Sequence, residues 1–497
     1  MAAAAPIRVA LTGLRRAGYN DAMDSAPGSS LLQRGEGLPT PRRYLAIVAV
    51  GLGTALAVLD GSIVTVAVPT LASDLGVASS AAVLVVTVYQ LVLVMTLLPC
   101  SALGSRIGLR RLYQYGQLLF LLSTVLCFFA RSLPLLLAVR AMQALGAAAS
   151  LSVSSALIRA IYPARQLGRG LGVNTVVVST CNALAPTLGG LILAVATWPW
   201  IFAAAAPLAL ASLVLGRRAL PAPEPHEEPF DVLGALLCAL TFGLIIAGLE
   251  SAVHGPFPIL SACIVAAGIA IAWLFVRREL DSKMPILPVD LLMKPVLALS
   301  AIGGLTAFVA SMTLLLSLPF RLQQHYGFSP SEVGAVITPW PFAIMLLAPL
   351  AGVLSDRFPA GILGGIGMAI ASGALLSLAF LPDHVSHFTL AWRMSLCGIG
   401  FGLFLAPNAR LIVHSAPPER AASAGGLIST TRLTGQTLGA TLLAALLSFG
   451  IGSDKVPALI AAGLAVLAGI CSVARLRPTL GGIAHESTVQ SNAIGER

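Results

Sequence analysis

Residues 45–71 read Leu45-Ala-Ile-Val-Ala-Val-Gly-Leu-Gly-Thr-Ala-Leu-Ala-Val-Leu59-Asp60-Gly-Ser-Ile-Val-Thr-Val-Ala-Val-Pro69-Thr-Leu71, an apolar run with one carboxylate near its middle. About 20 mostly apolar residues cross the hydrocarbon core of a bilayer as a helix, so the run is long enough to be a membrane span. Asp60 lies about 11 residues from its far end, roughly 16 Å at 1.5 Å per residue. A carboxylate at that depth costs several kcal/mol unless it is protonated, paired or wetted. Three roles are open to it: a proton carrier, one half of a permanent bridge to an arginine that fixes helix packing, or a direct substrate contact.

The rest of the chain has the same character. Of 497 residues, 57% are apolar or aromatic and 10% are charged, against roughly 25% charged in a soluble domain. That excludes a soluble globular protein. Scanning outward from Asp60 gives apolar spans near 45–71, 81–102, 112–130, 133–160, 167–194 and 200–216, then 231–252 and 257–276, then 296–320, 332–354, 361–381, 388–413, 421–449 and 456–475. Fourteen spans in a 6 + 2 + 6 arrangement predict an all-α integral membrane protein. The expected organisation is a disordered basic cytoplasmic tail (1–43), an N-terminal six-helix bundle (44–217), a linker with two extra transmembrane helices (218–294), a C-terminal six-helix bundle (295–476) and a cytoplasmic tail (477–497). The tail has no signal-peptide core, and Met23 is a candidate start. Seven cysteines, odd in number and set in apolar stretches, predict buried thiols rather than a disulfide framework or a metal site.

A net charge of +10 raises the question of nucleic acid, and the placement of the basic residues answers it. With an even span count and the N-terminus inside, 24 of the 30 Lys and Arg fall in cytoplasmic segments, three (Arg131, Arg321, Lys455) outside, and three (Arg140, Arg393, Arg432) within spans. Cytoplasmic loops collect Lys and Arg, so the charge reports topology and inner-leaflet attraction, not a nucleic-acid footprint. Both termini are expected in the cytoplasm, in a cell inner (plasma) membrane protein.

Two basic turns recur: Leu103-Gly104-Ser105-Arg106-Ile107-Gly108-Leu109-Arg110-Arg111 after span 2, and Gly352-Val353-Leu354-Ser355-Asp356-Arg357 after span 10. Six-span halves with matching inner turns suggest a repeat-built secondary transporter with its site near the midplane. Here the chain resembles the major facilitator superfamily. Leu59-Asp60-Gly61-Ser62-Ile63-Val64-Thr65-Val66-Ala67-Val68-Pro69 is similar to a span 1 signature of the fourteen-span drug:proton antiporters of the EmrB/QacA type. Arg140-Ala-Met-Gln143, Ala185-Pro186-Thr-Leu-Gly189-Gly190, Trp198-Pro-Trp200-Ile-Phe202, Gln323, Gly327-Phe-Ser-Pro330, Pro339 and Arg432-Leu-Thr-Gly435 follow in the family's order. There are departures: Ser101 and Ser105 stand where the family carries Gly and Asp, Ala144 and Ala185 replace Gly, and Leu84 replaces Trp. Ser105 supplies no charge to an inner-gate latch, which then rests on Asp356.

The resemblance implies a major facilitator fold of two pseudo-symmetric bundles and proton-coupled efflux of hydrophobic small molecules or drugs by alternating access. It names Asp60 and Arg140 for proton coupling; their depths are expected to differ by one to two helical turns. Tyr89, Gln90, Gln143, Asn174 and Asn182, with Asn408 and Arg432 opposite, are candidate cavity residues, although Asn and Gln in membrane helices also serve as interhelical hydrogen-bond glue. Arg106, Gly108, Arg110, Asp356 and Arg357 at the turns, and Pro186, Gly189 and Gly190 in span 5, are gating candidates. Trp198, Trp200 and Trp392 read as interfacial anchors. Only three Lys occur and none follows Gly, so there is no P-loop and no ATPase of the chain's own. No hydrolase motif or metal site is visible, so no enzyme and no cofactor are expected. Expected partners are substrate, protons and lipid, with a periplasmic adaptor and outer-membrane channel as candidates. Three intramembrane Arg against one Asp leave a neutral or anionic metabolite open as substrate. A proton symporter, or a non-transporting scaffold or sensor of the same fold, is a further alternative.

Overall fold

The computed structural model describes residues 37–163, 166–221, 231–281, 289–416 and 421–476, with the side chains of residues 168, 169, 172, 175, 356 and 421–423 outside the described set. Residues 1–36 of the expected N-terminal tail with Met23, the C-terminal tail and residues 222–229 of the Pro/Glu-rich stretch fall outside the described residues; the expected disorder does not hold at 38–43, where Leu38 is buried with its N–H on Ile161 O at 2.9 Å and Arg42 and Arg43 open α1. The helices are α1 Arg42–Leu75, α2 Ser79–Ile107, α3 Leu109–Phe129, α4 Leu133–Ile161, α5 Leu167–Val195, α6 Pro199–Ala203, α7 Ala206–Ala219, α8 Val232–His254, α9 Pro258–Asp281 and α10 Val289–Leu292. They continue as α11 Pro295–His325, α12 Pro330–Ile337, α13 Pro339–Arg357, α14 Ala360–Ala379, α15 His387–Ser415, α16 Ala421–Ser448 and α17 Val456–Ala474. Among the described residues, thirteen helices, counting α6–α7 and α12–α13 as one each, are long and apolar enough to cross a membrane. The fourteenth long helix, the 28-residue α16, is outside that set because it carries Arg432, Gln436 and a series of Thr.

Local chemistry sets the joints. Gly76 ends α1 in the left-handed region at φ 62°, and Gly108 joins α2 to α3 at φ 97°, a conformation that favours glycine. Asp231 caps α8 by accepting from Gly234 N–H at 2.9 Å. Ser329 and Glu332 form a capping box at α12, satisfying donors that a helix start leaves free.

The two sets of six spans pack alike. In the first, α3 lies on α4, α2 on α4, and α1 on α5 and α7; in the second, α14 lies on α15, α13 on α15, and α11 on α16 and α17. Matching glycines allow matching close approaches. A Cβ on Gly116 would meet Gly146 O at 2.8 Å, and one on Gly367 would meet Gly400 O at 2.6 Å, so α3–α4 and α14–α15 touch backbone to backbone. The sets meet along two seams, α2 with α16 and α5 with α12 and α13. The extra helix α8 lies across the first seam, touching both α2 and α16, and α9 packs on α8.

The second seam is closed at the charge-poor end. Thr187 Oγ1 and Thr338 Oγ1 are hydrogen-bonded and a Cβ on Gly190 would meet Pro330 O at 2.7 Å, while one on Gly189 would meet Ile63 O of α1 at 2.9 Å, inside the first set. Thr180 Oγ1 reaches Met345 Sδ at 3.7 Å. Beyond that contact, toward the Arg-rich end, Val173, Val176, Leu346 and Leu350 are exposed.

Candidate functional site

The charged centre of the molecule is built by five helices, α1, α2, α3, α4 and α6. Asp60 on α1 is 2% exposed and Arg140 on α4 is fully buried. Arg140 Nη1 donates to Asp60 Oδ2 at 2.5 Å and to Gln143 Oε1 at 2.7 Å. Gln143 Nε2 donates to Asp60 Oδ1 at 3.1 Å and to Thr124 Oγ1 of α3 at 2.9 Å. The guanidinium also donates from Nε to Val85 O of α2 at 3.3 Å and lies over the Tyr89 ring at 4.2 Å and the Phe202 ring at 5.3 Å. Tyr89 Oη in turn donates to Ala57 O of α1 at 3.1 Å. Both carboxylate oxygens of Asp60, both amide atoms of Gln143 and Nε and Nη1 of Arg140 are hydrogen-bonded, which is what a charge pair in a low-dielectric interior requires. The two aromatic faces add cation–π attraction of about 0.5–2 kcal/mol each.

This geometry corrects several expectations. Asp60 and Arg140 are in direct side-chain contact. Gln143, expected in the cavity, is fully buried and works as the clasp of the pair, since Arg140 and Gln143 are three residues apart on one helix face. Asn408, also expected in the cavity, donates to Ser300 O at 3.1 Å and accepts from Arg475 at 2.6 Å, a packing node of the second bundle. Arg475, counted by sequence as a loop residue, is buried there and also bonds Ser300 Oγ and Ser472 Oγ. Trp198 is 4% exposed, set edge-on to Phe202, and is a core residue; Trp200 and Trp392 are exposed.

Of the other cavity candidates, Tyr89 and Gln90 lie on α2 beside Gly61 of α1, and Gln90 Oε1 is buried without a partner. Asn182 accepts from Ser62 Oγ at 2.9 Å, tying α5 to α1. Asn174 has a buried Oδ1 without a partner. Arg432 is half-buried on α16, within electrostatic reach of Tyr89.

The gating candidates divide by end. Pro186, Gly189 and Gly190 form the close-packed end of the α5 seam, with Gly334 of α12 packed against Pro186 O. At the Arg-rich end, Arg110 Nη2 donates to Arg217 O at 2.5 Å, and Arg410 of α15 donates to Ser355 Oγ at 2.7 Å and Gly352 O at 3.1 Å. Arg106 and Arg357 are exposed; the Asp356 side chain lies outside the described set. Ser105 Oγ donates to Ala102 O of its own helix at 2.7 Å.

Sequence reasoning missed Thr124, Phe202 and the Val85 carbonyl. A threonine, a phenylalanine and a backbone oxygen in apolar spans carry no signal of their own, and only packing shows them around Arg140.

The sequence profile of the Major Facilitator Superfamily matches residues 50–287 and 299–491. The chain is 43% identical over 444 residues to an uncharacterized transporter, YebQ, of Escherichia coli (strain K12), covering 89% of this chain and 97% of that protein. It is 31% identical over 420 residues to the multidrug resistance protein Stp of Mycobacterium tuberculosis (strain CDC 1551 / Oshkosh), covering 84% of this chain and 78% of that one. Among solved structures it resembles the peptide transporter POT in complex with sulfate, with a TM-score of 0.70, 16% identity, and coverage of 92% of this chain and 99% of that one. Two six-span sets with the same packing, a buried charge pair in one of them and a profile match along most of the chain agree: this multi-pass membrane protein belongs to the Major Facilitator Superfamily and is a transporter.

Proposed function

We propose that the chain is a proton-driven exporter of hydrophobic small molecules that works by alternating access in a cell inner membrane. One observation carries the reading: the Asp60–Arg140–Gln143 cluster, a carboxylate deep in a span and held by groups from a different helix. Protonating Asp60 removes its charge and the reason for Arg140 Nη1 to stay with it, while Gln143 Oε1 and Val85 O keep the guanidinium. The α1–α4 tie then weakens by about 1.5–3 kcal/mol, the worth of a charge-assisted hydrogen bond, enough to bias two packings of the same bundles. The 24-to-3 excess of basic residues at one end supports placing that end, and both termini, in the cytoplasm. The close-packed α5–α12 seam then lies on the outer side and the molecule is in its inward-facing state. Ser105, bonded to its own helix, offers the inner gate no charge, which fits easy opening on that side. Kinship to a multidrug resistance protein supports efflux over uptake.

The test is substrate-triggered proton release in inside-out vesicles energised by respiration, wild type beside Asp60→Asn, with rhodamine 6G, a neutral dye and fluorescein as probes. Asp60→Asn is expected to lower gradient-driven transport at least about 100-fold with insertion intact. Undiminished pumping by the variant sinks the assignment, and proton flux in the same direction as substrate replaces antiport with symport.

A further inference from the structure

The arginines inside the membrane-spanning helices are accounted for one by one, and one is left over. Arg140 is neutralised by Asp60. Arg393 donates to Ser377 O at 2.5 Å and Arg321 to Leu378 O and Ala379 O at 2.8 and 3.1 Å; both cap the last carbonyls of α14, groups a helix end leaves without partners. Arg475 is spent on Ser300, Asn408 and Ser472. Of the buried and half-buried arginines among the described residues, Arg432 alone has neither a hydrogen bond nor an acid. An ionised group in that position is costly and is kept for a ligand or a counter-ion.

Its surroundings are those of a binding face. Arg432 lies on α16 at the seam between the two bundles, where Leu433 packs with Tyr89, Leu93 and Leu56 of the first bundle. Gln436, one turn along the same helix face, has a buried Oε1 without a partner, as does Gln90 across the seam, 5% exposed. Tyr89 lies within electrostatic reach of Asp60, Arg140 and Arg432 alike, so the leftover cation stands one side chain away from the coupling pair. Asp60 is already matched by Arg140, and the other acid at this seam, Glu250 of α8, accepts from Thr441 Oγ1 at 2.6 Å and faces His254 at 3.5 Å, so neither pairs with Arg432.

We propose that Arg432 is the recognition cation of the transport site and that the substrate is an aromatic anion, bound through a carboxylate or sulfonate on Arg432, rather than a lipophilic cation. Guanidinium suits such groups because its fork donates to two oxygens at once, while unpaired Gln90 Oε1 and Gln436 Oε1 accept from hydroxyl or amide donors on the same molecule. Charge counting gives this substrate a kinetic signature. One-for-one exchange of an anion leaving against a proton entering moves positive charge inward on both legs and is driven by membrane potential as well as by the pH gradient; the same exchange with a monovalent cation is electroneutral.

The inference rests on the export reading for the seam being a transport site, but binding needs no gradient, so its failure and the failure of proton coupling are separable. The full chain in lipid nanodiscs is titrated with anionic fluorescein and with cationic rhodamine 6G by fluorescence anisotropy, with a thermal unfolding curve for each variant. Wild type is expected to prefer fluorescein, Arg432→Gln to weaken fluorescein at least tenfold without weakening rhodamine 6G, and Arg393→Gln to leave both unchanged. Arg432→Lys keeps the charge and is expected to keep the preference for fluorescein with a smaller loss. Tighter binding of rhodamine 6G by wild type, absent fluorescein binding by folded wild type, wild-type fluorescein affinity in Arg432→Gln, or lost preference in folded Arg432→Lys each overturns the proposal.

Discussion

The two bundles share a packing plan and differ in what they hold at its centre. In the first, Asp60 of α1 meets Arg140 of α4; in the second, α11 carries no acid, its buried Thr313 donates its hydroxyl to Gly439 O at 3.2 Å, and Arg393 of α15 turns to the carbonyl end of α14. One bundle therefore buries an acid against a base, while the other, among the described residues, buries Arg475 on neutral acceptors beside a cluster dominated by Leu, Ala, Phe and Met. Glycine pairs at α3–α4 and α14–α15 keep the shape common to both. Shape and charge are thus separable in this scaffold: close packing is set by small residues in both halves, whereas proton chemistry needs an acid that only one half supplies.

Breaking the pair on one side is expected to have the largest effect. Arg140→Leu leaves Asp60 buried and unpaired and should cost about 3–5 kcal/mol, whereas the double variant Asp60→Leu/Arg140→Leu should recover most of that loss. Thermal unfolding in detergent checks both, and equal stability of the single and double variants removes the pair from the account of the first core. Importing an acid into the other bundle sharpens the contrast: Thr313→Asp has no cation beside it, because Arg393 is held by Ser377 O and Arg432 lies about two turns along α16 from Gly439, the residue Thr313 bonds, and should destabilise by about 1–3 kcal/mol through an unsatisfied buried group. Restored stability of that variant at neutral pH would mean that the two cores are electrostatically interchangeable.

A smaller effect is expected at the seam. Gly190→Ala forces a Cβ to within 2.7 Å of Pro330 O, while a Cβ on Gly352 at the other end meets nothing within 4 Å. The first substitution should weaken closure by about 1–3 kcal/mol of overpacking, read as faster thiol labelling of a cysteine introduced at Thr187, and Gly352→Ala should leave that rate unchanged. The smallest is at the start of α8. Burial pulls the Asp231 carboxyl up, but hydrogen bonds from Gly234 N–H and from Arg278 at 2.9 Å outweigh it and hold it below its ordinary value. A depressed carboxyl stabilises above its unfolded pKa and loses that contribution as pH falls through the folded one. Asp231→Ala should therefore cost about 1 kcal/mol of cap energy at neutral pH, with little added by the exposed ion pair, and the gap from wild type should close in acid.

Much of the fold was legible in order along the chain. Each of the fourteen apolar runs is a helix or a helix pair, with ends within a few residues of those expected, because a span is a local property: enough apolar residues in a row satisfy lipid on the outside and their own backbone on the inside. The joints followed from Gly76, Gly108, Asp231 and Ser329 for equally local reasons. The site was legible in part. Asp60 stood out by depth and Arg140 by being one of three arginines in spans, yet the clasp by Gln143, the platform of Tyr89 and Phe202, and the removal of Asn408 to a packing node were not.

What the sequence determined by itself is the membrane class, the span count, the charge asymmetry of the two ends and the identity of the one deep carboxylate. What only the tertiary structure decided is which arginine answers that carboxylate and which one is left without an answer. Asp60 and Arg140 are 80 positions apart, and Arg393 lies nearly as deep in α15 as Arg140 in α4, so depth alone does not choose between them. Partnership at that separation depends on which helix faces which, and that is fixed by the glycine-lined contacts of whole helices rather than by any residue's own neighbours in the chain.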